Sequence, residues 1–325
     1  MNSKRLAILW LSRCKGFDRV NRQFIYQRKM MTETYYHPDK MIFVFGSNLK
    51  GRHGKGAALY ARDWCGAEQG VGYGPMGTCY AIPTKTDGEV GPEYVMPIEQ
   101  IREYVQTFIQ YAKENADKIF MVTRIGCGLS GYTDDQIEPL FRDVPDNCLL
   151  PGLWLRIQNP KLVRLIVAGG RDYPRKLVKQ AVDHLNWKTE RLFQDGYEIT
   201  EVCGKATGAD AVGQFWADTK QIHVAAFPAK WDIYSKKSAG PIRNSWMAWY
   251  STHLIPLWDG QSRGTSSMIK IATDANLNVG KPFRYQPIPK EQAIGDMAKF
   301  IYNPKNGPDY IMSELGITGQ QIPNI

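Results

Sequence analysis

The 325-residue chain contains no run approaching the roughly 18 consecutive apolar residues that a membrane span requires. Its most apolar early stretch, Leu6 to Leu11, is too short to span, and no small-residue cleavage site follows it. The expectation is a soluble cytoplasmic protein that is neither exported nor held in a membrane. Cysteine is sparse and scattered. Cys14, Cys65, Cys79, Cys127, Cys148 and Cys203 form no C-x-x-C pair, which suits reduced thiols in a reducing compartment. The histidines at 37, 53, 184, 223 and 253 lack metal-ligand spacing on a helix, so no metal site is expected. There is no Walker A motif and no G-x-S-x-G elbow. Gly72 to Gly77 fits G-x-G-x-x-G only in spelling, without the strand-loop-helix setting that motif needs. Hydride transfer, kinase-like transfer and serine hydrolysis all lose ground, and no cofactor is expected.

What is present is a folded chain. Hydrophobic residues make up 43%, with 9 Trp, 17 Tyr and 12 Phe, enough for substantial cores, and the length suits two domains. The net charge of +9 suggests nucleic acid until it is localised. Residues 1–40 carry nine Lys/Arg against three acids, so six of the nine net charges sit there and three on the remaining 285 residues. A surface built for a phosphate backbone would load the domains as well, so nucleic acid is a weak expectation. Residues 1–40 read as a basic arm with no periodic face.

From Met41 the pattern becomes alternating strand and helix. Ile42–Phe45 is a buried-strand run that empties into glycines 46, 51, 54 and 56, before a helix through Ala57–Ala61. Thr78–Pro83 reads as a strand. A helix opens after Pro97, with Ile98, Ile101, Val105, Phe108, Ile109 and Ala112 on one stripe. Lys118–Thr123 is a strand, and its loop Arg124–Tyr132 runs into a capping-box signature at Thr133–Gln136. Residues 143–160 hold three prolines and mark the junction between domains at 41–150 and 160–285. The second half repeats the grammar, with strands at 162–168, 198–203, 222–227 and 253–258 separated by helices. Residues 286–325 form a tail without a legible role. The alternation implies an α/β chain with a parallel sheet in each half.

Ligands of open parallel sheets sit beyond the carboxyl ends of the strands, where glycine lets backbone N–H groups approach a phosphate. Two glycine-rich loops of this kind in the first half and three in the second point to nucleotide or phosphate binding. Cys127 lies within one of them and reads as a small residue that fits. Most tryptophans read as core, and Trp231, in an irregular stretch, is the candidate base platform.

Residues 42–141 resemble a macrodomain, in the branch of the ADP-ribose glycohydrolases. The resemblance rests on Gly46-Ser47-Asn48 through Gly54 and Gly56, on Tyr80–Lys85, and on Gly126-Cys127-Gly128-Leu129. It implies a mixed sheet between helices, with those loop residues binding ADP-ribose. Lys85 matches the branch's nucleophilic lysine. The expected acid is replaced by Ser130, with Asp134 and Asp135 a helical turn further on, so Lys85, Asp134 and Asp135 are the catalytic candidates.

Residues 163–275 resemble the YspA-like branch of the SLOG superfamily, which also holds the DNA-processing protein A core and the cytokinin-activating phosphoribohydrolases. The matching stretches are Gly169-Gly170-Arg171-Asp172, Gly204 through Gly208 to Asp210, Phe227–Trp231, Arg243-Asn244, and Arg263-Gly264-Thr265. The resemblance implies a Rossmann-like parallel sheet that binds a nucleotide and pairs as a homodimer. Where the phosphoribohydrolases keep a glutamate, this chain has Met268, which favours binding over cleavage in this half. Three functions stay open at this stage: binding of ADP-ribose or an NAD-derived nucleotide with hydrolysis at its ribose, sequestration of such a signal without turnover, and DNA-processing-type nucleic-acid binding. Family analogy places the first two in phage or bacterial nucleotide signalling or defence.

Overall fold

The computed structural model describes residues 33–286 except 90, 233 and 235–237. Most of the basic arm and all but one residue of the expected tail therefore lie outside the described residues. The chain forms two compact units, one from 36–162 with 245–252, the other from 163–244 and 253 onward together with residues up to 35. Strand β1 (Glu33–Tyr35) falls inside the stretch read as an arm, yet it pairs in parallel with a strand of the second unit. Its three residues are too few for periodicity to show.

The first unit is built on β2 (Met41–Asn48), α1 (Gly56–Trp64), β3 (Gly74–Met76), β4 (Cys79–Lys85), α2 (Ile98–Glu114), β5 (Ile119–Val122), α3 (Asp134–Ile137), β6 (Cys148–Leu149) and α4 (Gly152–Gln158). The sheet order is β3-β4-β2-β5-β6. Only β3 runs antiparallel, so the sheet is mixed. Strands covered on both faces read as continuous apolar runs, as β2 and β4 do. Successive side chains of β2 alternate faces. Val44 joins a core with Ile82, Phe108, Phe120, Phe141 and Trp154, while Phe43 and Phe45 join Ala58, Ala61, Cys65 and Ala81. Helix α2 buries Ile101, Val105, Phe108, Ile109 and Ala112, the stripe expected from sequence. Each large side chain so buried contributes about 1.5–3 kcal/mol.

Residues 143–160, read as a break, contain β6 and α4. The prolines sit where elements tolerate them: the Pro145 carbonyl accepts from the Cys148 amide, and Pro151 precedes the first residue of α4. The helix expected after Thr133 is a single turn. The Thr133 amide donates to the Gln136 side chain at 2.9 Å, and a 3-10 turn with Pro139 at its start follows.

The second unit comprises β7 (Leu162–Gly169), α5 (Val178–Gln194), β8 (Glu198–Cys203), α6 (Ala209–Thr219), β9 (His223–Ala226), α7 (Ala239–Tyr250, whose last six residues group with the first unit), β10 (His253–Trp258), α8 (Arg263–Asp274), β11 (Asn278–Val279) and β12 (Phe283–Arg284). It is the expected parallel sheet, ordered β1-β9-β8-β7-β10-β11, with β12 also on β10. The chain winds outward from β7 through β8 to β9, then crosses back to place β10 on the other side of β7. The crevice beyond the carboxyl ends of β7 and β10 is thus the topological switch point, where open α/β sheets bind ligands. Among the described residues no helix is long and apolar enough to cross a membrane, and no group of His, Cys, Asp or Glu could hold a metal ion.

Candidate functional site

In the first unit the carboxyl ends of β2, β4 and β5 bring three of the expected stretches together. A Cβ on Gly46 would stand 3.5 Å from the Gly126 amide nitrogen and 3.8 Å from Thr84 Oγ1. Thr84 Oγ1 in turn lies 2.8 Å from Ser130 Oγ, tying the loop after β5 to the end of β4. Gly126 has φ +73 and packs under Ile137, a left-handed position that favours glycine. The N–H groups of Gly128, Leu129 and Ser130 meet no acceptor among the described residues. Gly128, like Gly54, lies outside the left-handed region, and a Cβ on either would meet nothing within 4 Å. Gly56, at φ +57, opens α1, whose first turn carries no side-chain cap. Leu129 is exposed beside Gly128.

Ser47 and Asn48 are buried and serve the loop itself. The Ser47 hydroxyl donates to the Gly72 carbonyl, and the Asn48 amide group both donates to the Arg52 carbonyl, at 2.9 Å, and accepts the Arg52 amide, at 3.1 Å. Gly72 is required here, since a Cβ would stand 2.4 Å from the Asn48 carbonyl oxygen. Lys85 is 7% exposed, and its ammonium donates to the Glu89 carbonyl within its own loop. Asp134 is held by both arms of Arg124, at 2.9 and 2.5 Å, and accepts the Trp154 indole N–H at 2.7 Å. Burial alone would raise its carboxyl, but the Arg124 and Trp154 hydrogen bonds outweigh that and hold it below the usual range. Asp135 points to solvent. Burial pushes the Cys127 thiol up to about 12, with Asp134 adding to it, which disfavours the thiolate a reactive cysteine needs. Lys85 and Asp134 are thus each engaged by other groups of the protein, Glu89 for the one and Arg124 and Trp154 for the other.

In the second unit the loops after β7, β8 and β10 converge on Gly170. A Cβ on Gly208, at φ +76, would stand 2.2 Å from the Gly170 carbonyl oxygen, and the Ala209 amide donates to that oxygen at 3.1 Å. Gly169 packs against the Leu257 carbonyl and the Ala209 methyl with no room for a side chain. On the β10 side, Asp259 accepts the amides of Gln261 and Ser262, at 2.9 and 2.8 Å, and these bonds outweigh burial and keep its carboxyl ionised. Ser262 precedes α8 without capping it, because its hydroxyl bonds Thr265 Oγ1 at 2.7 Å. Gly264 is exposed, and a Cβ there would meet nothing within 4 Å. Arg171, Asp172 and Arg263 are exposed around this crevice.

Arg243 turns inward. It donates to the Gly204 carbonyl, lies 3.4 Å from Asp210 Oδ2 and bonds the Asn244 side chain at 2.9 Å. Asp210 also accepts the Ala206 amide at 3.2 Å. Burial raises the Asp210 carboxyl, partly offset by Arg243. Trp231 is 46% exposed, packs near Gly240 and carries the Arg171 guanidinium 5.4 Å from its ring centre. Trp216 and Trp246 are core, as expected. Met268, at the position of the phosphoribohydrolase glutamate, is buried.

Sequence reasoning missed several polar groups. Thr84 lies inside the Tyr80–Lys85 stretch, where nothing in the sequence distinguishes it. Trp154 lay in the proline-rich stretch. Glu201 sits on β8, fully buried, with neither carboxyl oxygen bonded among the described residues. Tyr173 and Tyr285 are also buried with unpartnered hydroxyls. Only their types could have drawn notice, since burial is not visible in a linear sequence.

No family model and no curated protein matches the chain. Among solved structures it is similar to the X-ray structure of DNA processing protein A (DprA) from Streptococcus pneumoniae, at 13% identity over 57% of this chain and 75% of that one. The TM-score is 0.28, a likeness too slight to bear on function.

Proposed function

We propose that the protein binds and sequesters a phosphate-bearing nucleotide, ADP-ribose or a related NAD-derived ligand, at the carboxyl edges of its sheets. The observation that carries this reading is the run Gly128-Leu129-Ser130. Three consecutive amides without an acceptor, beside a glycine whose missing side chain nothing in the unit requires, suit an anionic ligand that approaches the backbone closely. The macrodomain-like order of motifs supports ADP-ribose there, and the SLOG-like order supports a nucleotide in the second unit. The pairing fits a role in bacterial or phage nucleotide signalling, with the second unit able to form a homodimer.

Sequestration is favoured over hydrolysis. A nucleophilic lysine must be free and an acid must be protonatable near neutral pH. Here the Lys85 ammonium is bound to a carbonyl, and the Asp134 carboxylate is fixed by Arg124 and Trp154. Hydrolysis remains the second reading because Lys85 is a buried amine at the end of β4, close in register to the binding loop. The test is incubation with ADP-ribose, NAD and cyclic ADP-ribose isomers, read by mass spectrometry before and after denaturation. Intact ligand released only on denaturation is the expected result. A product that disappears in Lys85→Ala would establish hydrolysis instead, and neither retained ligand nor product would sink both readings.

A further inference from the structure

The second unit buries one polar group directly against Gly170, at its switch point, that belongs to none of the glycine motifs. Tyr285 follows β12. Its ring packs edge-on against Tyr173, with centroids 4.7 Å apart, inside the hydrophobic core. The residue is 7% exposed, and its hydroxyl has no hydrogen-bond partner among the described residues. That oxygen lies 2.7 Å from where a Cβ on Gly170 would stand, and the same point is 3.9 Å from Ser262 Oγ, just before α8. The Gly170 amide leans toward the phenol oxygen without completing a bond. An unpaired buried hydroxyl is unfavourable, and a phenylalanine would fill the same core space without it.

The surroundings identify the missing partner. The phenol keeps its proton, because burial and then the Asp259 and Asp172 carboxylates raise it further. The first-turn amides of α8 are uncapped, and Arg171 and Arg263 stand exposed at the rim. Arg171, Arg263 and the α8 amides offer positive charge and donors there, against the carboxylates of Asp172 and of Asp259, the latter already taken by two loop amides. The complement is a group that only accepts and is anionic.

We infer that the Tyr285 hydroxyl donates to a phosphoryl oxygen of a nucleotide seated at the start of α8, between Gly170 and Ser262. This rests on the reading of the second unit as a nucleotide binder. It assigns Tyr285 the selection of phosphorylated over unphosphorylated ligands.

The full chain, its Tyr285→Phe variant and its Gly264→Val variant would be titrated calorimetrically with ADP-ribose, AMP, adenosine and inorganic pyrophosphate. Gly264→Val fills the open space at the helix start and identifies which binding component belongs to the second unit. Tyr285→Phe is expected to weaken that component about tenfold for the phosphorylated ligands, the scale of one hydrogen bond to a charged group, and to leave adenosine unchanged. Its thermal unfolding midpoint should stay equal or rise, since an orphan hydroxyl is removed. Equal binding of AMP by wild type and Tyr285→Phe would overturn the inference, as would an equal loss for adenosine. If Gly264→Val removes no component, the second unit binds no nucleotide, and the parent reading fails together with the inference.

Discussion

The two units place glycine-rich loops at the same edge of similar sheets but differ in which of those glycines the protein itself needs. In the first, Gly54 and Gly128 face open space, and the loop around Gly128 leaves amides unpaired. In the second, Gly169, Gly204 and Gly208 each stand where a Cβ would strike neighbouring protein atoms within 2.2 Å, and Gly264 is the open one. One carboxylate of the second unit also stands apart. Asp134 in the first unit is fully engaged, while Glu201 in the second is buried with no partner among the described residues. A glycine in a loop therefore marks a ligand surface only when nothing in the protein itself needs the missing side chain.

That distinction can be broken most directly by valine. Gly128→Val should cost at least about 100-fold in ADP-ribose affinity, measured by titration calorimetry, while leaving thermal unfolding unchanged, because the added methyls enter empty space where ligand would sit. Gly208→Val should do the reverse. A left-handed residue forced against the Gly170 carbonyl combines backbone strain with overpacking, about 3 kcal/mol or more, and the second unit should unfold early in a thermal scan. If Gly128→Val unfolds the first unit instead, that loop is structural.

The next effect sharpens the contrast between carboxylates. Asp134→Asn removes the charge that pairs both guanidinium arms of Arg124. With both side chains partly exposed, the loss should be about 1–2 kcal/mol at neutral pH, read from denaturant unfolding. The folded carboxyl lies below its ordinary value, so its stabilisation is complete above that value and fades as pH falls through the folded one. Wild type and variant should therefore converge in acid. A constant gap at every pH would mean that packing, not charge, holds the loop.

Much of this was legible in the sequence, and the reasons are physical. Runs such as Ile42–Phe45 and the Ile101–Ala112 stripe give elements because burial on one face or two imposes a period. The mixed sheet was expected only through the macrodomain resemblance. β3 (Gly74-Pro75-Met76) is three residues long and carries no alternation, so it left no trace of its own. The loops around Gly46, Gly126, Gly170 and Gly264 were legible because strand ends are followed by helix starts. What each side chain does there was not. Arg243 was expected at the nucleotide site through the SLOG resemblance, but the structure turns it onto the Gly204 carbonyl and Asp210, and only the three-dimensional path of α7 decides that. Asp134 looked like an available acid because its partners, Arg124 and Trp154, lie 10 and 20 residues away.

The smallest expected effect probes the second unit's unsatisfied carboxyl. Glu201 lies on β8 beneath α6, its Oε1 about where Gly213 lacks a side chain, with Asp210, Asp218, Glu33 and Lys205 the charged groups around it. Burial first, then Asp210, drives its carboxyl well above the usual range, and Lys205 only partly opposes them. The folded chain thus keeps a proton that the unfolded chain gives up. Stability from this group falls as pH rises past the ordinary glutamate value of about 4.5, because the unfolded state then binds fewer protons. Glu201→Gln, which has no proton to lose, should raise the second unit's unfolding midpoint at pH 7 by on the order of 3 °C, and the gain should vanish below that ordinary value. A variant less stable than wild type at pH 7 would mean that Glu201 is ionised in place. Glu201 would then be no exception among the second unit's carboxylates, and the contrast between the units would rest on glycine alone.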